Sequence, residues 1–101
     1  MTDVVRLSTE ALLILVSLAD GPKHGYAIQQ DVHSVSGRRL GPGTLYGAIA
    51  RLEAAGLIEA MMERGARRPY RLTAAGTKNL RAELASLKHL TRAATRRLAA
   101  R

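Results

Sequence analysis

The sequence contains no cysteine, no tryptophan and no phenylalanine, and its aromatic residues are three tyrosines. A chain without cysteine forms no disulfide, binds no metal through thiolates and has no cysteine nucleophile, which is typical of a reducing compartment and predicts a cytoplasmic location. The longest apolar run, residues 11–16, is far shorter than the roughly 20 residues that cross a bilayer, so we expect no membrane span. No small-residue cleavage site follows that run, so we also expect no signal peptide.

Acidic residues are also scarce: eight Asp plus Glu stand against sixteen Lys plus Arg, a formal net charge of +8. This balance favours a polyanionic partner, namely DNA, RNA or an anionic membrane, and charge alone does not choose among them. A chain of 101 residues is expected to form one domain, 1–101. Such a domain buries roughly 60 to 70% of its unfolded surface, so a partner subunit would enlarge its core and a homodimer is expected.

No constellation of catalytic residues is visible in the sequence. The histidines, His24, His33 and His89, are scattered without a motif that joins them to a nucleophile or a carboxylate pair. The three glycines between positions 41 and 47 fit neither a dinucleotide fingerprint nor a P-loop. Sparse histidines without cysteine also lack metal-ligand spacing. We therefore expect a protein that is not an enzyme and that has no metal and no cofactor.

Capping residues and apolar periodicity predict three helices. The first is capped by Ser8 or Thr9 and ends at the 21–22 Gly-Pro pair, and its apolar residues lie on nearly all sides. The second runs over 25–35 and is closed by Ser-Gly at 36–37. The third begins at Gly-Pro 41–42 and stops at Gly56.

Two extended runs, 57–63 and 68–72, then predict a hairpin, and Thr73 caps a last helix from Ala74. The predicted fold class is mainly α with a small β-hairpin. Its predicted architecture is a winged helix-turn-helix over 9–72 followed by a C-terminal dimerisation helix over 73–101.

The last helix carries an apolar seam with alternating spacings of four and three. Its members are Leu80, Leu84, Leu87, Thr91, Ala94 and Leu98. The pattern predicts contact with a second copy, and an intrachain helix lying on the core is the alternative. Because the same helix is strongly basic, a further alternative places it on an anionic membrane or on RNA, although it lacks the aromatic residues that either surface favours.

The outward face of the third helix consists mostly of residues with unusually small side chains. Leu45, Ile49 and Leu52 predict its buried face, which leaves Gly43, Thr44, Gly47, Ala50 and Arg51 pointing elsewhere. Glycine costs about 1 kcal/mol relative to alanine inside a helix, so its use here indicates close approach of a partner to the backbone. A helix in the major groove of double-stranded DNA meets that description.

Polar side chains near this helix are candidates for contact with the DNA backbone. Thr44 and the Tyr46 hydroxyl can bond phosphate, and Arg38 and Arg39 just before the helix can grip it. For Tyr46 the alternative is a ring at the rim of the core with its hydroxyl in water. For each arginine the alternative is a solvated loop side chain.

The hairpin turn concentrates positive charge, with arginines at 64, 67, 68 and 71. Such crowding is unfavourable unless a polyanion neutralises it. Alternation along a strand turns Arg71 away from Tyr70, so the arginines cannot all face one partner. We predict that Arg67 and Arg68 contact DNA.

Several short motifs occur together and in order. They are His24-Gly25-Tyr26-Ala27-Ile28, Gly43-Thr44-Leu45-Tyr46-Gly47-Ala48-Ile49, Arg51-Leu52-Glu53, Gly56-Leu57-Ile58, and Tyr70-Arg71-Leu72-Thr73 with Gly76. In this order and spacing the chain resembles the PadR family of transcriptional regulators, and the resemblance covers about Ala11 to the final helix.

The resemblance implies a bacterial dimeric repressor that binds near-palindromic operators. It implies DNA contacts from Tyr26, Thr44, Tyr46 and the hairpin arginines, and Tyr70 joins this set. Packing of Tyr26 at its helix start is the alternative. Gly47 departs from the family, which frequently has proline there, and this leaves the local helix geometry open.

The resemblance also implies a short subgroup with a single C-terminal helix. In it the first helix, through Leu12, and the last helix pack against their symmetry mates. Family effectors are diverse, so a small molecule in the dimer cavity is one candidate regulator, although this chain has no tryptophan to stack on a flat aromatic compound. A repressor without a ligand, regulated by its own abundance, and a non-specific basic nucleic-acid binder are the alternatives.

Overall fold

The computed structural model describes residues 5–62 and 68–101. In this part of the chain four helices and one hairpin follow in the order α1 (Thr9–Leu18), α2 (Gly25–Ser36), α3 (Pro42–Ala54), β1 (Ile58–Ala60), β2 (Tyr70–Leu72) and α4 (Ala74–Ala99). The predicted fold class, a mainly α winged helix-turn-helix with a small hairpin and a long last helix, is confirmed.

Local capping explains where α1 begins and where α2 and α3 end. The Ser8 hydroxyl accepts a hydrogen bond from the Ala11 N–H at the start of α1. Gly37, with φ of 75°, terminates α2 in a left-handed conformation. At the end of α3, Gly56 has φ of 76° and the Leu57 N–H donates to the Leu52 carbonyl at 3.0 Å, a Schellman motif.

The two strands are shorter than predicted. They pair antiparallel in the register Ile58↔Leu72, Glu59↔Arg71 and Ala60↔Tyr70. The first strand begins late because the Leu57 N–H is used in the helix cap. The second is shortened because Pro69 has no N–H, although its carbonyl still accepts from the Met61 N–H at 2.8 Å. Residue 63, the last of the first predicted strand, and residues 64–67 of the predicted turn lie outside the described part of the chain.

The core lies around α1, which contacts α2, α3, α4 and β2. Ile14 and Leu15 of α1 have no exposed surface. The predicted inward face of α3 is confirmed, because Leu45, Ile49 and Leu52 are all buried. No helix among the described residues is both long and apolar enough to cross a membrane.

The hairpin is fastened to the loop between α1 and α2. Lys23 and Tyr70 exchange two backbone hydrogen bonds, of 3.0 and 2.9 Å. Lys23 also donates through Nζ to the Ser17 carbonyl and to the Asp20 carboxylate. The hairpin of β1 and β2, here called the wing, is therefore anchored to the loop between α1 and α2 as well as held together by its own strand pairing.

Only the first part of α4 belongs to the core. Gly76, Asn79 and Leu80 are buried there. Leu80 is 5% exposed and packs in the core of its own chain, so it does not lie on the open stripe that the seam pattern predicted. A periodic apolar stripe does not distinguish an intrachain neighbour from a second copy.

Beyond that point the apolar positions of α4 are open, and the exposed leucines are Leu84, Leu87, Leu90 and Leu98.

The segment before α1 is bound by side chains of α4. The Asn79 amide pairs with both backbone groups of Val5: its Oδ1 accepts from the Val5 N–H at 2.7 Å, and its Nδ2 donates to the Val5 carbonyl at 3.1 Å. One turn later the Glu83 carboxylate accepts from the Leu7 N–H at 3.2 Å. Asn79 is thus a buried polar residue with its bonding groups used by the backbone of the N-terminal segment.

Candidate nucleic-acid interface

The outward face of α3 is open as well as small. Gly43, Thr44, Ala50 and Arg51 are exposed, and Gly47 is half-buried. A Cβ built on Gly43 would meet no described atom within 4 Å. On Gly47 it would meet Arg51 Nη1 at 3.5 Å, an ordinary contact. The helix runs unbroken through Gly47, so the glycine at the position where proline is frequent does not interrupt it.

Tyr46 has features of both interpretations offered by the sequence. Its ring packs so closely on α2 that a Cβ on Gly25 would lie 2.6 Å from the Tyr46 hydroxyl oxygen. The side chain nevertheless remains 50% exposed. Gly25 therefore makes room for a tyrosine that is braced by α2 and still reaches the surface.

Tyr26 stands further out, with 63% of its surface exposed. Its hydroxyl oxygen accepts a hydrogen bond from Gln30 Nε2 at 2.7 Å. It does not pack inward at the helix start, which was the alternative interpretation. Sequence reasoning missed Gln30, although its separation of four residues from Tyr26 on one helix is a signal that could have found it.

The adjacent arginines before α3 have different surroundings. Arg38 Nη2 lies 2.7 Å from Glu10 Oε1 at the start of α1. The Glu10 backbone N–H and the Arg38 guanidinium hold the pKa of the Glu10 carboxyl below its ordinary value. Arg39 instead borders a cleft beside Tyr26. Residues so distant in sequence carry no local signal, so the pairing of Arg38 with Glu10 was not predicted.

One hairpin arginine is neutralised by its own sheet. Arg71 is directly opposite Glu59, and its Nη2 lies 2.6 Å from the Glu59 carboxylate. Arg68 is exposed, and the predicted contact residue Arg67 lies outside the described residues, as does Arg64. In the described part of the wing, Arg68 is the arginine that remains for an external partner.

Tyr70 is more enclosed than the other two tyrosines. It is half-buried, packs against the hydrophobic core and pairs through its backbone with Lys23. Burial, followed by the charge of the nearby Glu53, raises the pKa of its hydroxyl above the ordinary value. Tyr70 therefore packs against the core at the base of the wing, and part of the residue remains exposed.

The predicted dimerisation residues do not share one environment. Leu84, Leu87, Ala94 and Leu98 are exposed along α4, whereas Leu80 is buried and Leu12 is partly buried against the core. Within residues 5–62 and 68–101, no group of three His, Asp or Glu side chains is arranged to hold a metal ion.

Comparison with known proteins supplies the biological context. The model of the transcriptional regulator PadR-like family matches residues 14–82, more than half of the chain. An uncharacterised 37.1 kDa protein in a Streptomyces fradiae transposon is 49% identical over 87 residues, which are 86% of this chain and 25% of that protein. The chain thus spans about a quarter of that relative's length.

A second relative and a solved structure match over most of their own length. A transcriptional regulator of Mycobacterium tuberculosis is 40% identical over 84 residues, covering 80% of this chain and 78% of the relative. The crystal structure of a PadR family transcription regulator from Clostridium difficile has a TM-score of 0.78 at 27% identity, and the match covers 90% of this chain and 99% of that one. The chain therefore belongs to the PadR-like family of transcriptional regulators.

Proposed function

We propose that this chain is a dimeric repressor that binds a near-palindromic operator in double-stranded DNA. Residues 9–72 form the DNA-binding region and 73–101 the dimerisation helix. The family is one of transcriptional regulators rather than enzymes. The observation that carries the proposal is the open face of α3, where small residues and Arg51 are exposed on the same helix as Tyr46, whose ring packs on α2.

The chemistry of this face fits DNA. A helix fits the major groove, and a face built from glycine, threonine and alanine lets its backbone approach the base edges closely. Arg51 supplies a donor for a base edge or a phosphate, and Thr44 and Tyr46 supply hydroxyls for the backbone. Exposed Arg68 on the wing and Arg39 before α3 extend the positive surface on either side of the helix in sequence.

The second exposed surface supports a homodimer. Leucines at 84, 87, 90 and 98 of α4 are open to solvent on a chain that already has a closed core. A stripe of this kind on a small basic protein matches the self-complementary surface of a twofold dimer. Two recognition helices related by a twofold axis would match the symmetry of a near-palindromic site.

The function is tested by selecting duplexes from a random library with the purified protein. The selected duplex is then titrated by fluorescence anisotropy against its scrambled version at several salt concentrations. We expect the selected duplex to bind some 10³-fold tighter or more, with a gap that persists at high salt. Arg51→Ala should reduce the difference in affinity between the selected and the scrambled duplex. The matched control Arg92→Ala on α4 should leave that difference unchanged. Failure to enrich any sequence would leave a non-specific basic binder and overturn the proposal.

The dimer is tested by sedimentation velocity of Leu84→Asp/Leu87→Asp. Charges on the stripe should give a monomer, because carboxylates would be desolvated in the interface. Ala85→Asp, at an exposed position between the two leucines, adds a charge beside the stripe and should remain dimeric. A dimer that persists in the double variant would place the interface elsewhere.

A further inference from the structure

A cleft lies beside α2 and the turn that leads into α3. Its lining includes Tyr26, Gln30, His33 and Arg39, and no Asp or Glu side chain borders it. The cleft therefore presents hydrogen-bond donors and a positive charge, and among the described residues that line it no carboxylate would repel an anion.

The wall of this cleft is held in place by a hydrogen bond from α2 to the loop that precedes α3. Gln29 Nε2 donates to the Leu40 carbonyl at 2.6 Å. Leu40 is buried in the core and immediately precedes Gly41, the N-cap of α3. The edge of the cleft is consequently tied to the start of α3. A ligand bound in the cleft would therefore be held at a fixed position relative to that helix.

Within the cleft, Gln30 sets the direction of the Tyr26 hydroxyl. Gln30 Nε2 donates to the Tyr26 oxygen, so the phenolic hydrogen must be directed to a different acceptor. No described residue accepts it, and the side chain is mostly exposed. The Tyr26 hydroxyl can therefore donate to an acceptor from outside the protein, in a cleft that Arg39 also lines.

We propose that Gln30 is a positioning residue, which aims the Tyr26 O–H at a phosphate oxygen of DNA bound in this cleft beside Arg39. The inference rests on the proposed function, since it takes DNA as the ligand. Phosphate oxygens only accept hydrogen bonds, and the Tyr26 hydroxyl and the Arg39 guanidinium both donate. Tyr26 supplies an oriented donor and Arg39 supplies the charge.

These two contributions have different salt signatures. Loss of a cation at a phosphate lowers the slope of log affinity against log salt by about 0.9, because fewer counterions are released. Loss of a neutral donor weakens binding without changing that slope. Arg39→Ala should therefore flatten the salt dependence, whereas Tyr26→Phe should lower affinity by a similar factor at every salt concentration.

The experiment is a double-mutant cycle on the library-selected duplex. Gln30→Ala is expected to lower affinity about fivefold with an unchanged salt slope, the scale of one ordinary net hydrogen bond. In the Tyr26→Phe background the same substitution should have no further effect, because the hydroxyl that it orients is gone. Gln30→Glu should bind the duplex more weakly than Gln30→Ala does, because a carboxylate would accept the Tyr26 hydroxyl hydrogen and repel the phosphate.

Ser34→Ala, an exposed polar position on the same helix outside the cleft lining, is the matched control and should bind as the unaltered protein does. The inference is overturned if Gln30→Ala binds normally, or if it costs as much with phenylalanine at position 26 as with tyrosine. Either result with an unaltered protein that prefers its selected duplex leaves the repressor function standing. An unaltered protein with no preferred duplex rejects the proposed function itself.

Discussion

Two pairs of glycines in this chain face opposite surroundings. Gly25 and Gly76 lie against other parts of the chain: a Cβ on Gly76 would be 1.9 Å from the Leu57 carbonyl oxygen, and one on Gly25 would collide with the Tyr46 ring. Gly43 and Gly47 on α3 have room for a Cβ. The fold of the single chain explains the first pair, whereas the described neighbours give no reason for the second pair, which we attribute to the proposed contact with DNA.

Gly76→Ala should have the largest effect. The new methyl would meet a backbone carbonyl, which moves only if the junction between α3 and α4 moves with it. We expect a loss of about 3 kcal/mol or more in the free energy of unfolding, measured by urea denaturation. Ala75→Gly at the exposed neighbouring position should cost no more than about 1 kcal/mol. A stable Gly76→Ala protein would mean that α4 is not packed against Leu57 as described.

Gly25→Ala should be milder, because the obstacle is the end of a side chain that can rotate. We expect a loss of about 1 to 2 kcal/mol in stability together with weaker DNA binding, since Tyr46 is displaced from α2. Removal of the ring should relieve the conflict. In urea denaturation Gly25→Ala/Tyr46→Ala should therefore be more stable than the sum of the two single changes predicts. Strict additivity would break the assignment of Gly25 to the support of Tyr46.

Gly47→Ala should raise stability and lower affinity for DNA. Alanine in a helix interior is better than glycine by about 1 kcal/mol, and the described neighbours leave room for it. The melting temperature should rise while anisotropy shows weaker binding to the selected duplex, because the methyl lies on the surface that meets DNA. If the melting temperature and the affinity for the duplex both rose, α3 would not be in close contact with DNA at this position.

The smallest effect is expected from the pair formed by Glu10 and Arg38. The pKa of Glu10 is lower in the folded protein than in the unfolded chain, so its contribution to stability is present above its ordinary value near 4.5 and is lost as the pH falls through the lowered value. Glu10→Gln should thus lose a small amount of stability at neutral pH and be less sensitive to acid. It should also free Arg38, so its salt slope on DNA should be unchanged or steeper, and a shallower slope would exclude Arg38 from the interface.

The predictable parts of the fold were those with local causes. The start of α1 and the ends of α2 and α3 follow from Ser8, Gly37 and Gly56, each of which acts on neighbouring residues through a cap. The strands were overestimated because propensity does not reveal that the Leu57 N–H is already used. Leu80 was assigned to the open seam because periodicity shows that a face is apolar and not what covers it.

In the candidate interface, too, the features with local causes could be predicted and those that depend on distant segments could not. Exposure of the small face of α3 follows from the spacing of its buried residues, so it could be predicted. The partners of Arg38 and Arg71 come from distant segments, and only the folded chain shows that these two arginines are paired with carboxylates. The support of Tyr46 by Gly25 likewise depends on how α2 crosses α3.

The clasp between Asn79 and Val5 has a consequence for the order of events during synthesis. The two residues are 74 positions apart, so the backbone groups of Val5 lack their Asn79 partner until residue 79 has left the ribosome. Closing so long a loop is entropically expensive and comes late in folding. A nascent chain stalled before residue 79 would leave the backbone groups of Val5 without this partner, and synthesis of the first turns of α4 would supply it.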